Sequence, residues 1–178
     1  MSRRLIAFVV AAAALIAHGT ASAQERTFGI SMGFPTAVGV YVKVTDHFAV
    51  RPEFNFSKTK VEDDPTTWSI GTGVTGLLYL NSGNPLRTYV APRFTYARQH
   101  VDDPGFFDLK SDTNLYSLSG LFGAQYLLGD RFLVFGEVGV RGTYSSSTET
   151  FTGPFTFTDE PTGYTLGSTG GVGIVFFF

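Results

Sequence analysis

Five ionisable side chains share a spacing that bears on chemistry. Arg51, Glu53, Arg93, Glu137 and Arg141 all occupy odd-numbered positions inside segments that alternate apolar and polar. Val50-Arg51-Pro52-Glu53-Phe54 is echoed by Val90-Ala91-Pro92-Arg93-Phe94, and Val134-Phe135-Gly136-Glu137-Val138 repeats the form with Gly replacing Pro. Three copies of one pattern place Glu53, Arg93 and Glu137 at similar heights on three strands that run the same way. Held away from water, each such ion costs several kcal/mol unless an opposite charge and hydrogen bonds satisfy it. The spacing therefore predicts that Arg93 pairs with one or both glutamates, and that Arg51 and Arg141 close a lumen charge network. Such a cluster either satisfies buried charge structurally or gates a passage.

Other chemistry has thinner support. With no cysteine there is no disulfide framework, thiolate zinc site or thiol nucleophile. Neither a glycine-rich phosphate loop, an HExxH pair nor a paired histidine cluster is present. The one arrangement resembling a nucleophilic triad is His100 with Asp102 and Ser111. Three acidic pairs precede proline, at Asp63-Asp64-Pro65, Asp102-Asp103-Pro104 and Asp159-Glu160-Pro161. Carboxylates of this kind hold calcium or magnesium in some proteins, but the spacing matches no defined calcium loop and reads first as solvated turns. No catalytic residue, cofactor or metal site is expected.

The elements that would carry the five charges follow from hydropathy. Mean hydropathy is +0.11, yet no run reaches the roughly 18 apolar residues of a membrane helix. Arg3 and Arg4, the 13 apolar residues Leu5 to Ala17, and Ala21-Ser22-Ala23 have the three-part layout of a secretory signal peptide. Residues 1–23 are thus expected to be cleaved after Ala23, with export through the Sec pathway, leaving 24–178 as one domain. Loss of Arg3 and Arg4 leaves 11 basic against 15 acidic side chains, a balance that excludes the basic face of a nucleic-acid binder.

From residue 28 onward eight segments alternate with a period of two, near 28–34, 38–44, 48–56, 68–80, 86–96, 116–128, 132–144 and 166–178. Successive side chains on a strand point to opposite faces. None of the 47 even positions is charged, whereas the odd ones carry Lys43, Arg51, Glu53, Arg87, Arg93, Glu137 and Arg141. A soluble sandwich or lipocalin-like barrel would turn the apolar parity inward; a membrane barrel would turn it outward. Three features favour the second. Short turns at Thr45–His47, Asn81–Pro85 and Gly129–Arg131 alternate with long loops near 57–67, 97–115 and 145–165, as in barrels with periplasmic turns and extracellular loops. Even-face aromatics gather beside the long loops (Phe34, Phe56, Trp68, Tyr96, Tyr116, Tyr144 and Tyr164), and Phe48, Tyr126, Phe132, Phe176 and Phe178 lie near the other end, giving two aromatic belts. The chain closes on an apolar strand, with Val172, Ile174, Phe176 and Phe178 on one face.

On these residues the mature chain resembles the bacterial small outer-membrane β-barrel family, including OmpX and the OmpA transmembrane domain. The resemblance implies an all-β fold: an eight-stranded antiparallel up-and-down transmembrane β-barrel in the outer membrane. It implies that the terminal aromatic strand (Val172, Ile174, Phe176, Phe178) is an address read by the outer-membrane barrel assembly machinery. An internal salt-bridge cluster, sometimes described as a gate, is implied as well; a peptidoglycan-binding segment like OmpA's is not expected after Phe178. Lipid A deacylases and palmitoyltransferases share the architecture, but the deacylase pattern of a His with a Ser two residues on is met by neither His47 nor His100. The palmitoyltransferase helix before the barrel has only Gln24 to Thr27 to form it.

Eight strands enclose an interior that side chains just fill. Leu77, Tyr79, Tyr89, Leu127, Leu133, Phe135, Val175 and Phe177 should pack the periplasmic end, with the charge network above. Pro52 and Pro92 remove ladder donors, so a bulge is expected at each. Phe106, Phe107, Phe151, Phe155 and Phe157 add apolar material to the loops and are expected to pack together, extending the final hairpin, with a contact surface as the other reading. The expected role is non-enzymatic: envelope integrity or adhesion-type surface contact by a monomer. Its partners would be outer-membrane lipid and lipopolysaccharide and an extracellular ligand held by the loops, with a narrow gated channel, and after it a lipid A-modifying barrel enzyme, as the alternatives.

Overall fold

A computed structural model describes residues 27–34, 37–60, 65–81, 85–103, 108–152 and 156–178. The signal segment 1–23, the Pro35-Thr36 turn, Asp63 and Asp64, Pro104, Phe106 and Phe107, and Phe155 lie outside the described residues, as do the side chains of Phe151 and Phe157.

Among the described residues nine strands follow one another: β1 (Phe28–Phe34), β2 (Ala37–Lys43), β3 (Phe48–Thr59), β4 (Thr66–Tyr79), β5 (Leu86–Asp103), β6 (Asp108–Leu128), β7 (Phe132–Thr152), β8 (Phe157–Asp159) and β9 (Thr162–Phe177). Every sequential pair from β1 to β7 is antiparallel, β7 pairs with β9, and β9 pairs with β1. Eight strands thus close an up-and-down ring, and β8 is a three-residue strand on the outer end of β7.

The register fixes the shape. Ile30 faces Val40, and the same registers lead through Pro52, Val74, Phe94, Leu118 and Gly142 to Leu166, which stands level with the point ten residues past Ile30 on the line of β1. A shear of ten on eight strands tilts them by roughly 40°. At 3.3 Å per residue, the register line then climbs about 3 Å toward the outer side with each strand.

Side-chain parity decides the orientation of the wall. Every large apolar residue found exposed, from Phe28 to Phe178, is even-numbered, and every buried residue except Val42 is odd-numbered. Val74, Val138 and Ile174 are 43%, 63% and 44% exposed, while Glu137 is 7% exposed. A wall with aliphatic side chains outside and ions inside is insoluble in water and matched to hydrocarbon. A sandwich or lipocalin-like interior would invert it.

Inside, the half beside the short turns is filled. Tyr41, Ala49, Leu77, Tyr79, Tyr89, Ala91, Leu121, Leu133, Phe135, Val175 and Phe177 form one buried cluster, with Leu127 partly buried against it. The Tyr41 and Tyr79 hydroxyls meet at 2.6 Å, and Tyr79 donates to Gln125 Oε1 at 3.1 Å, so the phenols in this dry layer are satisfied. At the short turn between β6 and β7, Gly129 has φ of 65°, a left-handed conformation open to glycine at no steric cost.

Two expectations fail here. Neither proline makes a bulge. Gly39–Glu53 and Val42–Val50 keep one register on either side of Pro52, and Thr75–Arg93 and Leu78–Val90 do so around Pro92. An inserted residue would break that constancy. The extended φ of proline fits the strand, and the cost is limited to a ladder donor. The long loops are mostly strand as well: β5 runs to Asp103, β6 starts at Asp108, and β7 reaches Thr152. Thr113 meets Ser147 at 2.8 Å, a hydroxyl pair across β6 and β7 in the part assigned to loop. Beyond the apolar band both faces of these strands carry mostly polar side chains, so apolar alternation stops while pairing continues.

Candidate functional site

The alternation that turns Arg51, Glu53, Arg93 and Glu137 inward also stacks them on the aromatic layer. Arg51, on β3, is 1% exposed and holds two carboxylates: its Nε donates to Glu53 Oε1 at 2.6 Å, and its Nη2 to Glu137 Oε1 at 2.8 Å and Oε2 at 3.0 Å. Arg93, on β5, reaches the same pair, with Nη2 2.5 Å from Glu137 Oε2 and Nε 3.6 Å from Glu53 Oε2. Tyr89 donates to Glu137 Oε1 at 2.9 Å, and Arg93 Nε donates to Thr75 Oγ1 at 2.8 Å. The Arg51 guanidinium lies 4.2 Å above the Phe135 ring, which seats the network on the apolar floor. Among the described residues no buried side-chain nitrogen or oxygen lacks a partner. Two arginines against two glutamates, fully hydrogen-bonded, make a neutral crossbar between β3, β5 and β7.

Arg141 does not close it. It stands four residues outward of Glu137 on β7, about 13 Å along the strand, and its Nη2 donates to Thr169 Oγ1 at 2.6 Å instead. Parity put Arg141 on the correct face, but parity carries no height. Tyr89 and Thr75, which complete the network, were missed or read as filler. Their signal is register: Thr75 is the residue paired with Arg93, and Tyr89 stands in line with Glu137 through Gly123.

On the outer surface, Tyr96, Tyr116, Tyr144 and Tyr164 share one register line across β5, β6, β7 and β9. Tyr96 and Tyr116 have ring centroids 5.1 Å apart, and the Tyr96 hydroxyl donates to Asn114 at 2.8 Å. Trp68 tilts against His100 at 5.6 Å, and Phe56 is exposed beside it on β3. Phe34 does not join this belt. Measured from Met32, it stands about 5 Å up while Tyr144 stands about 18 Å up, because β1 ends early. The other belt gathers Phe28, Phe132, Phe176 and Phe178, with Phe132–Phe176 at 5.1 Å and Phe176–Phe178 at 5.2 Å. Val172, Ile174 and Phe176 of β9 lie opposite Phe34, Met32 and Ile30, where the ring closes.

Above the tyrosine line the outward face turns polar. His100 Nδ1 lies 3.2 Å, and Arg98 Nη2 3.0 Å, from Asp112 Oδ1. Partial burial pushes the Asp112 carboxyl up, but the hydrogen bonds from Arg98 and His100 outweigh it and hold the group below its usual range. The His100–Asp102–Ser111 triad is not assembled: His100 pairs with Asp112, and Ser111 takes the opposite parity. Among the described residues no three metal-ligating side chains gather at the acidic pairs or elsewhere.

No protein-family model matches the chain, and no curated protein does. The barrel is nevertheless shared with a solved protein. A major outer membrane protein from Thermus thermophilus superposes with a TM-score of 0.53, covering 85% of this chain and 98% of its own, at 13% identity. CarO and CarO2 of Acinetobacter baumannii cover 89% and 85% of this chain and 100% and 97% of theirs, at 11% and 12% identity, with TM-scores of 0.42 and 0.44. At 13% identity the first likeness establishes the fold: an antiparallel up-and-down barrel found in a bacterial outer membrane protein.

Proposed function

We propose that this chain is an exported outer-membrane protein of the small-barrel kind typified by OmpX and the OmpA transmembrane domain, serving envelope integrity or surface contact. The observation that carries the reading is the inverted wall, with even-numbered aliphatics outside and Arg51–Glu137 inside. In this reading residues 1–23 direct Sec export, the strand ending in Phe176 and Phe178 engages the assembly machinery, and the monomer sits among outer-membrane lipid and lipopolysaccharide. The outer parts of β5, β6 and β7, polar on both faces, form the surface offered to an extracellular ligand. Cell fractionation with heat-modifiability on gels tests the location. A folded, outer-membrane species that migrates differently before boiling supports it, and a soluble periplasmic protein overturns it.

A gated channel is the alternative, because the crossbar occupies the point where a pore would close. Arg93→Ala separates the two readings. With a structural crossbar, the variant loses about 2 kcal/mol of stability and adds no conductance to planar bilayers. Discrete channel openings in the variant would favour gating.

A further inference from the structure

Among the described residues the wall has a gap on one side. β1 and β2 end at Phe34 and Ala37, whereas the flanking β9 and β3 continue outward to Thr162 and Thr59. Past the Phe34–Val172 and Val38–Phe54 pairs, β9 and β3 have no strand partner on their facing edges among the described residues. Both parities are exposed from residue 55 to 60 and from 162 to 168, while inward Ser117 on the opposite wall is buried. The gap begins about 5 Å above Met32, and outward side chains become polar about 10 Å higher, at Lys58 and Arg98. Its unpaired edges therefore lie at hydrocarbon depth, where open backbone persists only if it lines a polar cavity.

Such a cavity is present. About 300 Å³ of lumen lies above the crossbar, and Phe34, Ala37, Phe54 and Val172, which stand at the edge of the gap, are among the residues lining it. Arg51, Glu53, Arg93, Glu137 and Arg141 line it within, three cations against two anions. The crossbar uses four of these charges, so Arg141 is the surplus, held by the neutral Thr169. Directly opposite Arg141 in the register is Gly167, where an added Cβ would meet nothing within 4 Å. Position 167 is therefore open, on the strand paired with the one that carries Arg141.

We propose that this gap is a lateral portal for a long-chain fatty acid, whose carboxylate sits on Arg141 while its chain leaves between β9 and β3 into the outer leaflet. One surplus positive charge matches a monoanion, and the planar fork of arginine matches a carboxylate in two-point contact. The volume is at the lower limit of small-ligand sites; it admits a head and the start of one chain, not a sugar headgroup. The apolar mouth suits methylenes and the polar interior suits the charged end.

The test uses the full barrel in phosphatidylcholine nanodiscs, titrated with 11-(dansylamino)undecanoic acid and displaced by laurate, methyl laurate or lauryl phosphate. Saturable one-to-one binding above that of empty discs is expected, with displacement by laurate and not by its methyl ester. Arg141→Ala and Gly167→Phe should each weaken binding at least tenfold, the second by filling the space with the charge intact, and Arg141→Lys, which keeps the charge but loses the two-point fork, should fall between the wild type and Arg141→Ala. Heat-modified migration verifies that each variant is folded, and Gly167→Phe decides the matter if Arg141→Ala fails to fold. Binding no greater than in empty discs, unchanged affinity in both variants, or equal displacement by methyl laurate would overturn the portal. Stronger displacement by lauryl phosphate than by laurate would overturn the carboxylate assignment.

Discussion

Glu137→Ala should lower the stability of the folded barrel by about 3–5 kcal/mol, the cost of removing one partner from a buried ion network. Glu137 accepts from Arg51, Arg93 and Tyr89 together, and its side chain is 1% exposed. Its loss leaves two guanidiniums facing one carboxylate over an apolar floor. Glu53→Ala should cost less, because the Glu53 side chain is 14% exposed and water can replace part of what is lost. Restoring neutrality with Arg51→Met in the Glu137→Ala background should recover part of the deficit, a coupling that independent sites would not show. Urea unfolding in vesicles, followed by the fluorescence of Trp68, the single tryptophan, measures all three. A loss below about 1 kcal/mol for Glu137→Ala would mean that water already hydrates the crossbar.

The second large effect is on the other side of the wall. Val138→Arg should destabilise the barrel in a bilayer by about 2–4 kcal/mol, the cost of a lipid-facing arginine near mid-membrane. In an aqueous protein the same substitution at a residue 63% exposed would be nearly neutral. Ser146→Arg, on the same parity but above the tyrosine line, should change stability by less than about 0.5 kcal/mol. Equal, small effects at both positions would contradict placement of Val138 in lipid.

The strands were legible where the membrane imposes period two. The expected 28–34 coincides with β1, and the inner ends of the remaining strands fall within a residue of expectation. Outer ends were lost because Ser145 to Thr150 on β7 pair with β6 without any apolar face to mark them. Parity likewise sorted Arg51, Glu53, Arg93 and Glu137 to one side, but it assigned Arg141 to partners about 13 Å away along the strand. Height depends on register, which the ring closes through β9 and β1, and no local pattern encodes it. The same blindness set Phe34 in the outer belt and left the gap above β1 and β2 unseen. Pro52 and Pro92 were misread for a different reason: a single lost donor does not force a bulge when the strand keeps its extended path.

An inverted wall requires that even-numbered side chains meet lipid while odd-numbered ones line the lumen. The absence of cysteine allows single spin labels at Val74, Val138 and Ile174, and at Ser117 and Thr143, in the vesicle-embedded protein. Collision rates with oxygen, which concentrates in hydrocarbon, and with a water-soluble nickel chelate give the environment of each. High oxygen and low nickel contact are expected at the three even positions, and low oxygen contact at the two odd ones. The reverse, with labels at Val74 and Val138 shielded and those at Ser117 and Thr143 open to oxygen, would contradict it.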